Sequence, residues 1–228
     1  LTLEAIKQHK IISIIRGVPG EFIPQIFDAL YEGGIRLVEL TLNTDNALDL
    51  IADMSKRYGG KLLIGAGTVK DEENARLAID AGAKFILTPI LDIPTIHAVK
   101  ERGAVCITGA LSPTEIYTAF THGSDLVKVF PAGPMGAGYI KDLKGPMPQI
   151  PLVPTGGIDV TNASSYLQVG AVALGIGSSL VPAKEQYSSA DIAEIKAKAG
   201  QFLKLRDGSS ASSFSRKNIF SFRLFSKS

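Results

Sequence analysis

Two charged residues sit inside short apolar runs of this 228-residue chain, where a charge is costly to keep. In Val38-Glu39-Leu40-Thr41-Leu42-Asn43, strict alternation puts Glu39, Thr41 and Asn43 on one face and Val38, Leu40 and Leu42 on the other. In Leu126-Val127-Lys128-Val129-Phe130-Pro131 the same period sets Lys128 opposite its two neighbouring valines. With the apolar faces turned to covering helices, Glu39 and Lys128 both point into a shared interior. One outcome is a purely structural Glu39–Lys128 ion pair. The other is chemistry: an amine in a narrow apolar interior has its pKa lowered by desolvation, stays partly unprotonated at neutral pH and attacks a ketone. The protonated imine withdraws electrons and lets the neighbouring carbon–carbon bond break, while the carboxylate moves the protons.

Small residues cluster after other apolar runs, as Gly65-Ala66-Gly67-Thr68, Thr88-Pro89, Pro154-Thr155-Gly156-Gly157-Ile158 and Gly175-Ile176-Gly177-Ser178. Any one of these reads as a tight turn. The last two together, following the final pair of strands, predict an anion cradle built from the backbone N–H groups of Gly156, Gly157, Gly177 and Ser178. Cys106, within an apolar run, reads as a small core hydrophobe. His97 and His122 fall on helical segments and read as surface residues.

The elements that must position these residues recur eight times. Strands are expected at 11–16, 37–42, 62–66, 85–88, 105–108, 126–130, 152–154 and 172–174, each β-branched or apolar and bounded by Gly or Pro. Helices are expected at 22–31, 46–57, 72–81, 93–102, 113–121, 139–143, 161–169 and 190–205. Asp71, Ser112 and Asp191 stand at N-cap positions, Glu115 completes a capping box with Ser112, and Gly33-Gly34, Gly82 and Gly103 follow helix ends. Eight such units predict one α/β domain over 1–206, a closed (β/α)8 TIM barrel, with a doubly wound open sheet as the second choice. In a barrel the active site lies at the C-terminal ends of the strands, where these clusters fall.

Composition narrows the classes. Hydrophobic residues make up 45% and charged residues 20% of the chain, which excludes disordered and collagen-like proteins. The net charge of +2 divides into +3 from residues 207–228, where Arg216, Lys217, Arg223 and Lys227 stand against Asp207, and −1 from the rest. The body therefore has no electrostatic footprint for nucleic acid. No apolar run approaches the roughly 18 residues of a membrane span, and the apolar stretch within LTLEAIKQHKIISIIRG is too short for a signal peptide, so no membrane partner and a cytoplasmic location are expected. One cysteine and three scattered histidines offer no zinc-type ligand spacing, so no metal is expected.

With these residues in place, the chain resembles the 2-keto-3-deoxy-6-phosphogluconate / 4-hydroxy-2-oxoglutarate aldolase family, class I lyases on a (β/α)8 barrel. The resemblance is carried, in family order between about residues 4 and 205, by Ile12–Arg16-Gly17, Val38-Glu39-Leu40-Thr41-Leu42, Gly65-Ala66-Gly67-Thr68-Val69, Lys128-Val129-Phe130-Pro131-Ala132, Pro154-Thr155-Gly156-Gly157-Ile158 and Gly177-Ser178-Ser179-Leu180-Val181-Pro182. It implies that Lys128 forms the Schiff base and that Glu39 is the general acid/base, acting through a water. It further implies that Thr68, the backbone of Pro89 and Thr155 surround a pyruvyl group, and that Arg16 holds a carboxylate. The implied substrate is a small 2-keto acid, the implied assembly a homotrimer, and no cofactor is implied. Many members that use the phosphorylated sugar acid carry Arg four residues after the Glu; this chain has Asn43 there, which leaves its aldehyde half open.

Two other readings compete. A phosphosugar isomerase or synthase shares the anion cradle and needs no imine, and a barrel serving as scaffold for its tail has no use for Lys128. Residues 207–228, with a Gly-Ser-Ser opening and four Phe among Ser and basic residues, read as a flexible appendage outside the fold.

Overall fold

The computed structural model describes the backbone of residues 1–219 and the side chains of residues 1–208. Its strands are β1 (Ile11–Ile15), β2 (Leu37–Thr41), β3 (Leu63–Gly67), β4 (Phe85–Leu87), β5 (Val105–Ala110), β6 (Leu126–Val129), β7 (Leu152–Pro154) and β8 (Leu174–Ile176). All pair in parallel in the order β7-β6-β5-β4-β3-β2-β1-β8. Full ladders join seven of the neighbours, and a single bridge between Thr155 and Gly175 brings β7 to β8. Gly175 permits that approach, since a Cβ there would lie 2.4 Å from Thr155 Oγ1. The result is the expected (β/α)8 architecture, nearly closed.

The helices are α1 (Thr2–His9), α2 (Ile23–Glu32), α3 (Ala47–Tyr58), α4 (Glu72–Asp80), α5 (Ile93–Glu101), α6 (Pro113–Thr121), α7 (Gly136–Lys144), α8 (Ala163–Gln168) and α9 (Ser189–Ile219). Asp71 caps α4 by accepting from Asn74 N at 2.8 Å, and Ser112 and Glu115 form the expected capping box on α6. Asp191 is not the cap of α9: it lies at the third helical position, and the cap is Ser188, whose backbone N donates to the Asp191 carboxylate at 2.8 Å. The reciprocal pairing of a capping box makes its two ends easy to exchange in sequence. Gly34, Gly82 and Gly103 take positive φ just past helix ends, as expected.

Two apolar layers follow from strand alternation. Val38, Leu40, Val127 and Val129 face the helices, while Ile12, Leu37, Phe85, Leu126 and Val153 fill the lower barrel interior. Gly65 makes room for Phe85, whose ring would lie 2.2 Å from a Cβ on that residue. Helix α1, which the sequence reading did not include, adds the fully buried Ile6 to this interior layer. The last helix also differs, running to Ile219 instead of ending near residue 205. No proline follows Pro182, so nothing in the covalent chain forces a stop there. Residues 220–228 of the expected tail lie outside the described residues.

Candidate active site

Glu39 and Lys128 both enter the barrel interior, one on β2 and the other on β6, as alternation requires. Each side chain is buried, Glu39 completely and Lys128 to 2% exposure. Neither carboxylate oxygen of Glu39 has a hydrogen-bond partner, so the two residues do not form a contact ion pair. Gly67, the neighbour on β3, is what admits the carboxylate: a Cβ at this position would lie 1.4 Å from Glu39 Oε1. The Lys128 Nζ sits 4.8 Å from the centre of the Phe130 ring.

Burial dominates the electrostatics of both groups. It pushes the Glu39 carboxyl up to about 6, against the opposing pull of the Lys128 and Arg16 charges. It holds the Lys128 amine below the usual lysine range, opposed by Glu39 and assisted by Arg16. The pair thus consists of a weakened base on nitrogen and a carboxyl poised to exchange a proton near neutrality.

The other expected residues gather at the same end of the barrel. Arg16, exposed at the end of β1, donates from Nη2 to Thr68 Oγ1 at 3.2 Å across to the end of β3. Thr68 holds a left-handed backbone, with φ of 59°. Pro89 follows β4, and its backbone lies close against Gly109, where a Cβ would approach the Pro89 carbonyl carbon to 2.5 Å. Gly109 is the register partner of Lys128. Thr88 holds this turn: its Oγ1 accepts from Gly109 N at 2.9 Å and donates to Ile90 O at 2.6 Å. The positioning by Thr88, the space made by Gly67 and the ring of Phe130 are contributions that residue types alone did not reveal. Their signal was membership of the singled-out motifs, Gly67 in Gly65-Ala66-Gly67-Thr68, Thr88 in Thr88-Pro89 and Phe130 in Lys128-Val129-Phe130-Pro131, without a role attached to each.

Thr155 is buried at the β7–β8 closure. Together with Arg16, Phe130, Gly156, Gly177 and Ser178 it lines a cavity of about 320 Å3. Gly157 is outside that lining and packs on Gly133, whose Cα would lie 2.8 Å from a Cβ on Gly157. The two loops of the expected cradle are stitched together by Ser179 Oγ, which donates to Ile158 O at 2.6 Å. Cys106 is buried in the core, with Sγ 3.4 Å from Thr108 Oγ1, and His97 and His122 are exposed with ring centres 6.3 Å apart.

A buried amine, an unpartnered carboxyl and a small, mostly apolar cavity carrying a few polar groups at the strand ends can form and protonate an imine of a keto acid. Comparison with known proteins agrees. The family described as KDPG and KHG aldolase matches residues 3–198. The 2-dehydro-3-deoxy-phosphogluconate aldolase of Treponema pallidum is 32% identical over 203 residues, which cover 89% of this chain and 96% of that protein. The 2-dehydro-3-deoxy-6-phosphogalactonate aldolase of Escherichia coli is 32% identical over 75% of this chain and 83% of its own. A crystal structure of the KDPG aldolase from Legionella pneumophila, with pyruvate captured as a covalent carbinolamine, superimposes with a TM-score of 0.74 at 26% identity, covering 89% of this chain and 95% of that one. The chain therefore belongs to the KDPG and KHG aldolase family, whose members are carbon–carbon lyases.

Proposed function

We propose that this aldolase cleaves 2-keto-3-deoxy-6-phosphogluconate to pyruvate and glyceraldehyde 3-phosphate, 4-hydroxy-2-oxoglutarate to pyruvate and glyoxylate, or both, through a Schiff base on Lys128. The observation that carries this reading is the buried Lys128 amine, lowered in pKa, sharing an interior with a Glu39 carboxyl that no protein group satisfies. The Lys128 amine adds to the C2 carbonyl, and loss of water from the carbinolamine gives the iminium. Glu39, through a water, takes the proton of the C4 hydroxyl as the C3–C4 electrons move toward the iminium nitrogen. The aldehyde leaves. The remaining enamine gains a proton at C3, and hydrolysis returns pyruvate and the free lysine.

In this reading Thr68, Thr155 and the Pro89 backbone surround the pyruvyl group, and Arg16, braced on Thr68, holds its carboxylate. Gly156, Gly157, Gly177 and Ser178 hold a phosphate through backbone N–H groups. Gly177→Asp, at a cavity-lining position where a Cβ meets nothing within 4 Å, would set a carboxylate in that cradle and should raise the KM for the phosphorylated substrate; an unchanged KM would place the phosphate elsewhere. Both relatives above are named for phosphorylated sugar acids, which favours a phosphorylated substrate here.

We also propose a cytoplasmic homotrimer. Among the described residues no helix is long and apolar enough to cross a membrane. Of the six large apolar side chains left exposed among the described residues, four, Leu77, Ile90, Tyr117 and Met135, belong to successive units between β3 and β7, a flank suited to self-association, while Leu1 and Val160 lie outside it. Sedimentation should give three times the 24.2 kDa chain mass, and a monomer would remove this assignment.

Mass spectrometry after incubation with pyruvate and borohydride tests the central claim. One pyruvyl-derived group per chain, at Lys128, is expected. Labelling of a different lysine, or of none, would refute the mechanism and favour an isomerase or synthase that needs no imine.

A further inference from the structure

Imine formation changes the charge on one buried atom. The lone pair of the Lys128 nitrogen bonds to C2 of the keto acid, the carbonyl oxygen leaves as water and one proton is taken up from solvent, so a neutral amine becomes a cationic iminium. The side chain that carries this charge is only 2% exposed, which leaves water little room to solvate it. Among the described residues no counter-ion touches it either. Both Glu39 oxygens lack a hydrogen-bond partner, so that carboxylate attracts the nitrogen only from a distance, and Arg16, whose field also reaches Lys128, repels the charge.

The group that does lie against the nitrogen is an aromatic ring. Phe130 follows Lys128 by two residues, and strand alternation sets the two on one side of the chain. The ring centre is 4.8 Å from Lys128 Nζ, inside the roughly 6 Å over which a ring face attracts a cation.

The surrounding backbone holds the ring there. Phe130 N donates to Ala110 O at 3.1 Å, and on either side of it Thr155 N donates to Val129 O at 3.0 Å and Ala132 N to Thr155 O at 2.8 Å. Gly156 supplies the room, since a Cβ at this position would lie 3.2 Å from Phe130 Cε2. Phe130 also belongs to the wall of the cavity that Arg16 and Thr155 line, so it meets both the reacting nitrogen and the space for substrate.

A benzene ring is negative on its face and positive at its edge, so this face favours a charged nitrogen over a neutral one. A contact that served packing alone would not distinguish the two. Resting on the Schiff-base reading above, we propose that Phe130 is a further catalytic residue, whose ring face stabilises the cationic iminium nitrogen and draws the equilibrium with the keto acid from the free amine toward the imine. The same face attracts the ammonium form of Lys128, so the gain in imine is complete only where the free enzyme carries the neutral amine.

Fluorine withdraws electrons from the ring face, changes the size of the ring little and makes it more apolar. Phe130 should therefore be replaced by phenylalanines carrying one, two and three ring fluorines. The pyruvate concentration that half-saturates the Lys128 label, read with brief borohydride pulses at a pH alkaline enough to free the amine, should rise with each fluorine. With three it should rise roughly fivefold, the scale of a desolvated cation–π contact. The titration midpoint of the amine, read from the pH dependence of the labelling rate, should fall along the same series by about 0.5 pH, because the ammonium loses the same attraction. Phe130→Leu, apolar but without a π face, should raise the half-saturating concentration at least as far. A half-saturating concentration that stays constant or falls with fluorination overturns the proposal, because a packing contact would hold pyruvate as well or better on the more apolar ring. A midpoint that does not move, or a native half-saturating concentration in Phe130→Leu, overturns it equally. Absence of the label at Lys128 in the unmodified enzyme would overturn the Schiff-base reading itself, and this proposal with it.

Discussion

The same strands build two unlike halves of the barrel interior. Toward the N-terminal ends, Ile12, Leu37, Phe85 and Leu126 pack with Ile6 of α1 into an apolar plug. Two residues further along β2 and β6, the side chains are Glu39 and Lys128. Leu37 and Glu39, like Leu126 and Lys128, point the same way because a strand repeats every two residues. Position on the strand, not direction, decides which half stabilises and which reacts. The lower half gains from burial, whereas the upper half holds two groups whose charged forms burial disfavours. Such local strain persists because the packed layer beneath fixes the backbone.

The sharpest way to break this contrast is to extend the apolar half upward. Lys128→Met keeps an unbranched side chain one atom shorter and removes the amine. Turnover should fall below detection and the pyruvate–borohydride label should disappear, while the circular dichroism spectrum stays native. Retained turnover would detach the reaction from the buried amine.

Glu39→Gln should have the next largest effect, and in two directions. The amide keeps the shape but carries no proton, so kcat should fall by about 10²–10⁴ while the label at Lys128 still forms. Stability should move the other way. The folded carboxyl titrates at about 6, above its ordinary value of 4.5, so the folded state binds the proton more tightly than the unfolded chain. Stability from this group is therefore complete below pH 4.5 and is lost as pH rises through 6, a change of about 2 kcal/mol. Urea denaturation at pH 7 should find Glu39→Gln more stable than the native protein by that order, with the gap closing at pH 4. A gap that persists at pH 4 would show that ionisation is not its source. The acid limb of kcat/KM should also lie near pH 6 in the native enzyme.

How far the sequence disclosed this arrangement depended on what each segment had to discriminate. The runs around Glu39 and Lys128 were legible because a charge between apolar neighbours fixes its own face. Strand β8 was placed two residues early, at 172–174, because Val172-Ala173-Leu174-Gly175-Ile176 is apolar throughout and offers no alternation to set its ends. Helix α1 escaped notice since one fully buried residue, Ile6, carries little periodicity in eight positions. The chemistry of Glu39 was legible, but its accommodation was not. That depends on Gly67 across a strand pair and on the absence of a contact with Lys128, both products of register and tilt.

The lower half can be weakened by itself. Ile6→Ala removes a fully buried side chain from the plug without touching the upper layer. It should cost about 2–5 kcal/mol of stability, read as a lower midpoint in urea. Labelling of Lys128 and kcat at 25 °C should be retained as long as the barrel is folded. A loss of kcat in the folded protein would mean that the two halves are coupled more tightly than their separate layers suggest.

The smallest effect is expected from removing residues 208–228. Among the residues whose side chains are described, α9 is held to the barrel through positions before 208: Ile195, Ala199 and Phe202 are buried, and Arg206 donates from Nη1 to His9 O at 3.3 Å. The α2–α9 contact is close enough that a Cβ on Gly33 would lie 2.6 Å from Ala199 Cβ, so the seam that holds this helix lies well before Gly208. A chain ending at Asp207 should therefore keep the kcat, the Lys128 label and the urea midpoint of the full protein. A tenfold loss of kcat, or a midpoint shift like that of Ile6→Ala, would make the segment part of the fold and end its reading as an appendage.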